Sequence, residues 1–291
     1  MSLALAFALS PFAGGRAMAV EPSQEAAVAA SFVMPRTEVM TVQSKAGASY
    51  HLYLAWPESP PPPQGYPVLY LLDGDQFFAT TAELANRLGR FSNRGRSSPG
   101  LVVAIGFPTL EQRSFDTTPS GATSTDPFGR RTGGAEAFRN FLLNELRPMI
   151  EARFRVDRSR QALMGHSYSG LFVLDTMFRQ PDAFATYVAA SPSIWFNDRQ
   201  VLRNEGGFLS TIASTSLHPR LVMTAGGLEE DTAKDATAQG RSMIGNAAAL
   251  ADRLGKAGVD VRFRILAHEN HGTTMLPSIG QAIPLIFGVP R

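Results

Sequence analysis

From Tyr66 onward, short runs of uninterrupted hydrophobic residues alternate with longer stretches in which hydrophobic positions recur every three or four residues. The runs at 66–72, 100–105, 161–164, 187–190, 221–225 and 259–267 predict strands. Because their hydrophobicity is continuous, these read as strands covered on both faces, as in a parallel sheet. Between them the spacing predicts helices over 78–88 and 136–153, the second with Phe138, Phe141, Leu142, Leu146 and Ile150 on one stripe. Further helices are expected to start near Leu171, Ser242 and Leu276. Residues 38–56 differ, alternating apolar and polar positions around Lys45-Ala46-Gly47, which predicts an antiparallel hairpin. The four prolines of 59–65 separate that hairpin from the first buried strand as a stiff surface loop. The pattern requires an α/β architecture: a mostly parallel central sheet with helices on both faces and an N-terminal antiparallel hairpin, one domain spanning 20–291.

Residues 3–13 form an apolar run, followed by Gly14-Gly15-Arg16 and the small-residue pattern Ala17-Met18-Ala19 that signal peptidase cuts. This predicts a signal over 1–19, a mature chain starting at Val20 and a periplasmic location, although nothing before Arg16 is basic. An uncleaved anchor and a buried helix are the alternatives; the run is too short to span a bilayer, so the mature chain is expected to have no stable membrane insertion.

Composition narrows the chemistry. A formal net charge of +2 with 18% charged residues gives no electrostatic footprint for nucleic acid. The absence of cysteine excludes disulfides, thiolate nucleophiles and Cys-ligated zinc, and the five histidines form no HExxH pair, so no catalytic metal is expected. Lys45, Lys234 and Lys256 are the only lysines; the basic side chains are arginines, whose planar forks suit carboxylates and other anions.

The strand at 161–164 runs into Gly165-His166-Ser167-Tyr168-Ser169-Gly170 and then a helix. That is the setting of a nucleophile elbow, a strained turn that lifts a serine hydroxyl above the sheet edge. The fifth position of G-x-S-x-G is Ser169 here, small enough to fit. A serine hydroxyl needs a base, and the chain order Ser, acid, His places that base at His271, after the last strand. His268 competes but ends the strand; His166 inside the elbow reads as packing, and His51 and His218 have no motif context. The acid should follow the strand at 221–225, where Glu229, Glu230 and Asp231 are available and Glu229 is nearest the strand end. An oxyanion would take one N–H from Tyr168 and one from the turn Asp73-Gly74-Asp75-Gln76, with Asp75 and Gln76 both open. Strand C-termini face the site in such sheets, so residues 107–134, with Arg113, Arg130 and Arg131, should hang over Ser167, and Trp195 should add an aromatic wall.

As a set, these residues resemble the esterases that hydrolyse trilactone catecholate siderophores such as enterobactin, in the esterase-D-like branch of the α/β-hydrolases. The carriers are Leu71 to Asp75, Arg113 with Phe115 to Pro119, Gly133 to Phe138, Gly165 to Phe172, Ala190 to Trp195, and Asn270-His271-Gly272. The resemblance covers nearly all of the chain after residue 19 and is more specific for the branch than for the substrate. It implies the α/β-hydrolase fold, ester hydrolysis through an acyl-enzyme with Ser167 as nucleophile and His271 as base, no cofactor, and a small-molecule siderophore, iron-loaded or not, as partner. Substrate contacts would then come from Arg113, Arg130 and Trp195. Some members work with a Ser-His dyad, which leaves Glu229 open. The rival readings are a general carboxylesterase for small acyl or aryl esters, and a ligand-binding protein without catalysis.

Overall fold

The computed structural model describes residues 33–90, 97–121, 123–230 and 241–288, and the predicted signal at 1–19 lies outside them. Residues Arg36–Arg291 form one compact unit. Eight strands build a single sheet in the order β1-β2-β4-β3-β5-β6-β7-β8. Strands β1 (Thr37–Gln43) and β2 (Ser49–Ala55) are the expected hairpin, and β2 pairs antiparallel with β4 (Leu101–Gly106). From β4 through β3 (Tyr66–Leu72), β5 (Val156–His166), β6 (Thr186–Ala190), β7 (Arg220–Gly226) and β8 (Asp260–Leu266), every pairing is parallel.

In the central strands both faces are buried. Val68, Tyr70 and Leu72 of β3 join the main core with Phe138, Phe172 and Leu250, while Leu69 and Leu71 are equally buried on the opposite side. Two helices, α1 (Gly74–Arg90) and α9 (Met275–Phe287), touch each other, and α9 packs on β3, β5 and β6. Alternation of half-buried and exposed positions returns at β1 and β8, because an edge strand is covered less fully than a central one; the expectation of two-sided burial fails for β8.

Helix boundaries and regularity differ from the expectation in two places. The first helix starts at Gly74 rather than Phe78, since Asp73 holds φ 59° and its carbonyl accepts the N–H groups of Gln76 and Phe77. The helix predicted for 136–153 is continuous but not regular: α3 (Ala135–Phe141) passes through a π turn (Leu142–Leu146) into α4 (Arg147–Arg153). Helix α5 (Tyr168–Arg179) begins at once after Ser167, and α8 (Met243–Lys256) follows β7. Three helices were not legible as periodic stretches: α2 (Leu110–Asp116), the short α6 (Phe196–Arg199) and α7 (Glu205–Ser214). Strands β3, β5, β6, β7 and β8 all release their chain at one edge, where Asp73, Ser167, Ser191, Glu229 and His271 follow.

Candidate active site

Ser167 sits between β5 and α5 with φ 60° and ψ −119°, a conformation that costs an L-residue roughly 1–3 kcal/mol and persists only when its surroundings over-determine it. Three backbone bonds do so. Its N–H donates to Ala190 O at 3.0 Å, and its carbonyl accepts from Ser193 N at 3.1 Å and from Leu171 N at 2.9 Å. The elbow also needs its small residues. A Cβ on Gly165 would stand 2.5 Å from Ser169 O, and Ser169 is wholly buried, so the strand and the first helical turn are in direct contact. The Tyr168 N–H, at the start of α5, has no protein partner among the described residues and points from a helix N-terminus, where negative charge is favoured.

His271 is the histidine that reaches the serine: its Nε2 lies 2.9 Å from Ser167 Oγ. His268 is exposed, with φ 65°, and makes no such contact. His166 is buried beside the site with its ring 4.7 Å from that of His271, and burial together with His271 lowers its pKa to about 4, so it stays neutral at ordinary pH.

Of the three carboxylates weighed from sequence, Glu229 stands behind His271. Its Oε2 is 3.4 Å from His271 Nδ1, a long contact, whereas Oε1 takes Gly226 N at 2.8 Å, Thr274 Oγ1 at 3.1 Å and the Ser191 hydroxyl. Burial raises its pKa, but the bonds from His271, Ser191 and Gly226 outweigh that and hold it below the ordinary carboxylate range. Glu230 is engaged elsewhere, accepting from Gly245 N, and Asp231 lies outside the described residues.

One loop serves both ends of this relay. Ser191, with φ 40°, bonds Glu229, and two residues later Ser193 Oγ is 3.3 Å from Ser167 Oγ. Neither serine was singled out from sequence, although both lie in the stretch Ala190 to Trp195 that carried part of the resemblance.

Arg113 differs from its expected role as a free cation for the substrate. Its Nε and Nη2 grip Asp73 at 2.5 and 2.9 Å, and Nη2 also donates to His166 O at 3.1 Å. The guanidinium therefore ties the end of β3 to the elbow, its charge is compensated, and it still borders the cavity above Ser167. The Asp73–Gln76 turn is likewise partly committed. Gln76 N–H donates to Asp73 O at 3.0 Å, so of the two oxyanion candidates there only Asp75 N–H lacks a protein partner among the described residues. The Asp75 carboxylate faces away, binding His51, Tyr53 and Phe107 N.

The cavity over Ser167 encloses about 460 Å3, the size of a small-molecule site. Arg130 and Trp195 border it as expected, as do Phe128 and Arg241, which no sequence motif marked. Segment 107–134 does reach the site, through α2 and the loop carrying Phe128. A hydroxyl, an imidazole and a carboxylate in line, beside an unpaired helix N-terminus, form an arrangement suited to acyl transfer.

Comparisons with known proteins agree with this geometry. The Esterase family model matches residues 44–271. The ferri-bacillibactin esterase BesA of Bacillus subtilis (strain 168) is 33% identical over 265 residues, covering 87% of this chain and 90% of that protein. The apo-salmochelin esterase of Escherichia coli O6:H1 is 36% identical over 155 residues, 50% of this chain and 47% of that one. Among solved structures, the BES protein from Bacillus cereus superposes with a TM-score of 0.80 at 30% identity, covering 90% of this chain and 99% of that one. The α/β-hydrolase-like fold, a match over most of the length and these relatives lead to one conclusion: the chain belongs to the Esterase family and is a hydrolase of ester bonds.

Proposed function

We propose that the protein is a serine esterase that opens the ester bonds of a trilactone siderophore, with Ser167 as nucleophile, His271 as general base and Glu229 as the acid that orients it. The observation that carries the catalytic part is the 2.9 Å contact between His271 Nε2 and Ser167 Oγ on a strained elbow. His271 takes the hydroxyl proton as Oγ adds to the ester carbonyl; the C–O bond then breaks, and the same imidazole returns the proton to the departing alkoxide. Water repeats the sequence on the acyl-enzyme, releasing a carboxylic acid and restoring Ser167. Tyr168 N–H and Asp75 N–H are the donors proposed for the oxyanion.

Support for a siderophore as substrate comes from the relatives, one named for an iron-loaded siderophore and one for an iron-free one. The cavity adds to it by combining aromatic and guanidinium groups above the nucleophile. Export through the segment 3–19 belongs to the same proposal, supported by its apolar run and Ala17-Met18-Ala19, with a periplasmic mature chain as the outcome. Among the described residues no helix is long and apolar enough to cross a membrane. Assaying the purified protein on enterobactin and p-nitrophenyl butyrate side by side tests the function. Turnover of the trilactone at least about tenfold more efficient, by kcat/KM, is expected; preference for the small ester would make it a general carboxylesterase.

A further inference from the structure

Five side chains form one continuous stack along the cavity wall. The guanidinium carbon of Arg130 lies 4.9 Å from the Phe128 ring centre, that of Arg241 lies 5.7 Å from the same ring and 4.7 Å from Trp195, and Trp195 rests 6.0 Å from the ring of Tyr168. Phe128 thus serves as a spacer between two like charges. A guanidinium stacked through its face keeps its rim of N–H donors free. Among the described residues no carboxylate forms an ion pair with Arg130 or Arg241. The Arg130 guanidinium makes, among the described residues, one weak hydrogen bond, to Ser114 Oγ at 3.4 Å.

The acids nearby are buried and hydrogen-bonded rather than presented to solvent. Asp73 is gripped by Arg113, Glu229 is bound to His271, Ser191 and Gly226 N, and Asp126 accepts the backbone N–H groups of Phe128 and Arg130. All three are buried; of them Glu229 borders the cavity and Ser114 Oγ stands between Asp126 and Arg130, so what a ligand meets is chiefly the guanidinium rims and the aromatic faces.

Resting on the siderophore reading above, we infer that this wall selects the metal-loaded form of a tris-catechol trilactone over its metal-free form, with Arg241 as the specificity-determining residue. Chelation of a trivalent metal strips the protons from six phenol oxygens and leaves a trianion, whereas the free ligand is close to neutral. The trianion presents phenolate oxygens to the N–H rims and catecholate rings to the stack; the neutral form gains only the stacking. Similar proteins are named for an iron-loaded and for an iron-free substrate, so the preference is not common to all of them.

The test compares gallium-loaded enterobactin, which cannot change oxidation state, with metal-free enterobactin on the full chain. Wild type is expected to favour the loaded form by about tenfold or more in kcat/KM, and the preference should shrink as ionic strength rises. Arg241→Gln should cut the loaded-over-free ratio by about three- to tenfold, with Arg130→Gln acting in the same direction. A merely structural role would lower both rates and leave that ratio intact, which would overturn the inference, as would a wild-type ratio at or below one. If neither form is cleaved, the siderophore-esterase reading fails by itself; quenching of tryptophan fluorescence by the two ligands then decides the charge preference on its own, equal affinities refuting it.

Discussion

Ser167, His271 and Glu229 follow the ends of three strands with polar atoms committed to one another and to Ser191, Ser193, Thr274 and Gly226, whereas Phe128, Arg130, Trp195 and Arg241, on the wall, meet one another through ring faces and guanidinium planes. On the floor a displaced atom breaks a relay in which every member orients the next. On the wall a lost side chain removes one contact with a ligand and leaves its neighbours stacked. The proposed catalytic groups are thereby held by bonds to one another, and the groups proposed to select the substrate stand on loops, the segments that vary most readily. Arg113 joins the two regions: it borders the cavity like the wall residues but is fixed by Asp73 and the His166 carbonyl like the floor.

The comparison breaks most directly at the floor. Ser167→Ala should leave the protein folded and lower ester turnover by about 10^4-fold or more, since only oxyanion and binding contributions remain. A fluorophosphonate should label wild type and not this variant; labelling that persists would move the nucleophile elsewhere. His271→Ala should be similarly inactive and His268→Ala active, and the reverse would dismantle the proposed relay.

Glu229→Gln should cost less, about ten- to a thousandfold in kcat, because the contact to His271 is long while Gly226 N, Ser191 and Thr274 still find an oxygen. A silent substitution would leave a Ser-His dyad as the better description. The pH dependence of stability sharpens this. Since the folded pKa of Glu229 is depressed, its stabilising contribution is present above its unfolded value and is lost as pH falls through the folded one. Wild type should therefore lose more stability than Glu229→Gln across the acid range below the ordinary carboxylate pKa, read by thermal melts; parallel pH profiles would contradict the assignment.

The smallest of these effects tests whether Arg113 belongs with floor or wall. Arg113→Ala should lower kcat/KM by about tenfold for enterobactin and p-nitrophenyl butyrate alike, because it strands the buried Asp73 and loosens the elbow rather than removing a free cation. A loss confined to the anionic trilactone would return Arg113 to the wall.

Much of the floor could be read along the chain because its signals are local. Continuous strands mark the sheet, and a strand, a Gly-His-Ser turn and a helix mark Ser167 without reference to anything distant. His271 followed from chain order and from its place after the last strand, which His268 ends. The wall had no such signal. Arg241 and Phe128 lie in loops without periodicity and are 113 positions apart by number, and only the closing of the cavity sets one guanidinium between two rings. Helices α2, α6 and α7 escaped for a related reason: they are short, and one to three turns offer too few positions for a hydrophobic period to stand out.

By itself, then, the sequence determined the α/β layering, the position of the elbow and the order of the proposed nucleophile, acid and base, because hydrophobic periodicity and tight-turn chemistry act between near neighbours. Tertiary structure decided which charges are spent and which are offered. Arg113 and Arg241 are alike as letters, but one lies beside Asp73 at 2.5 Å and the other between two aromatic rings, and electrostatic character depends on what burial places within a few ångströms.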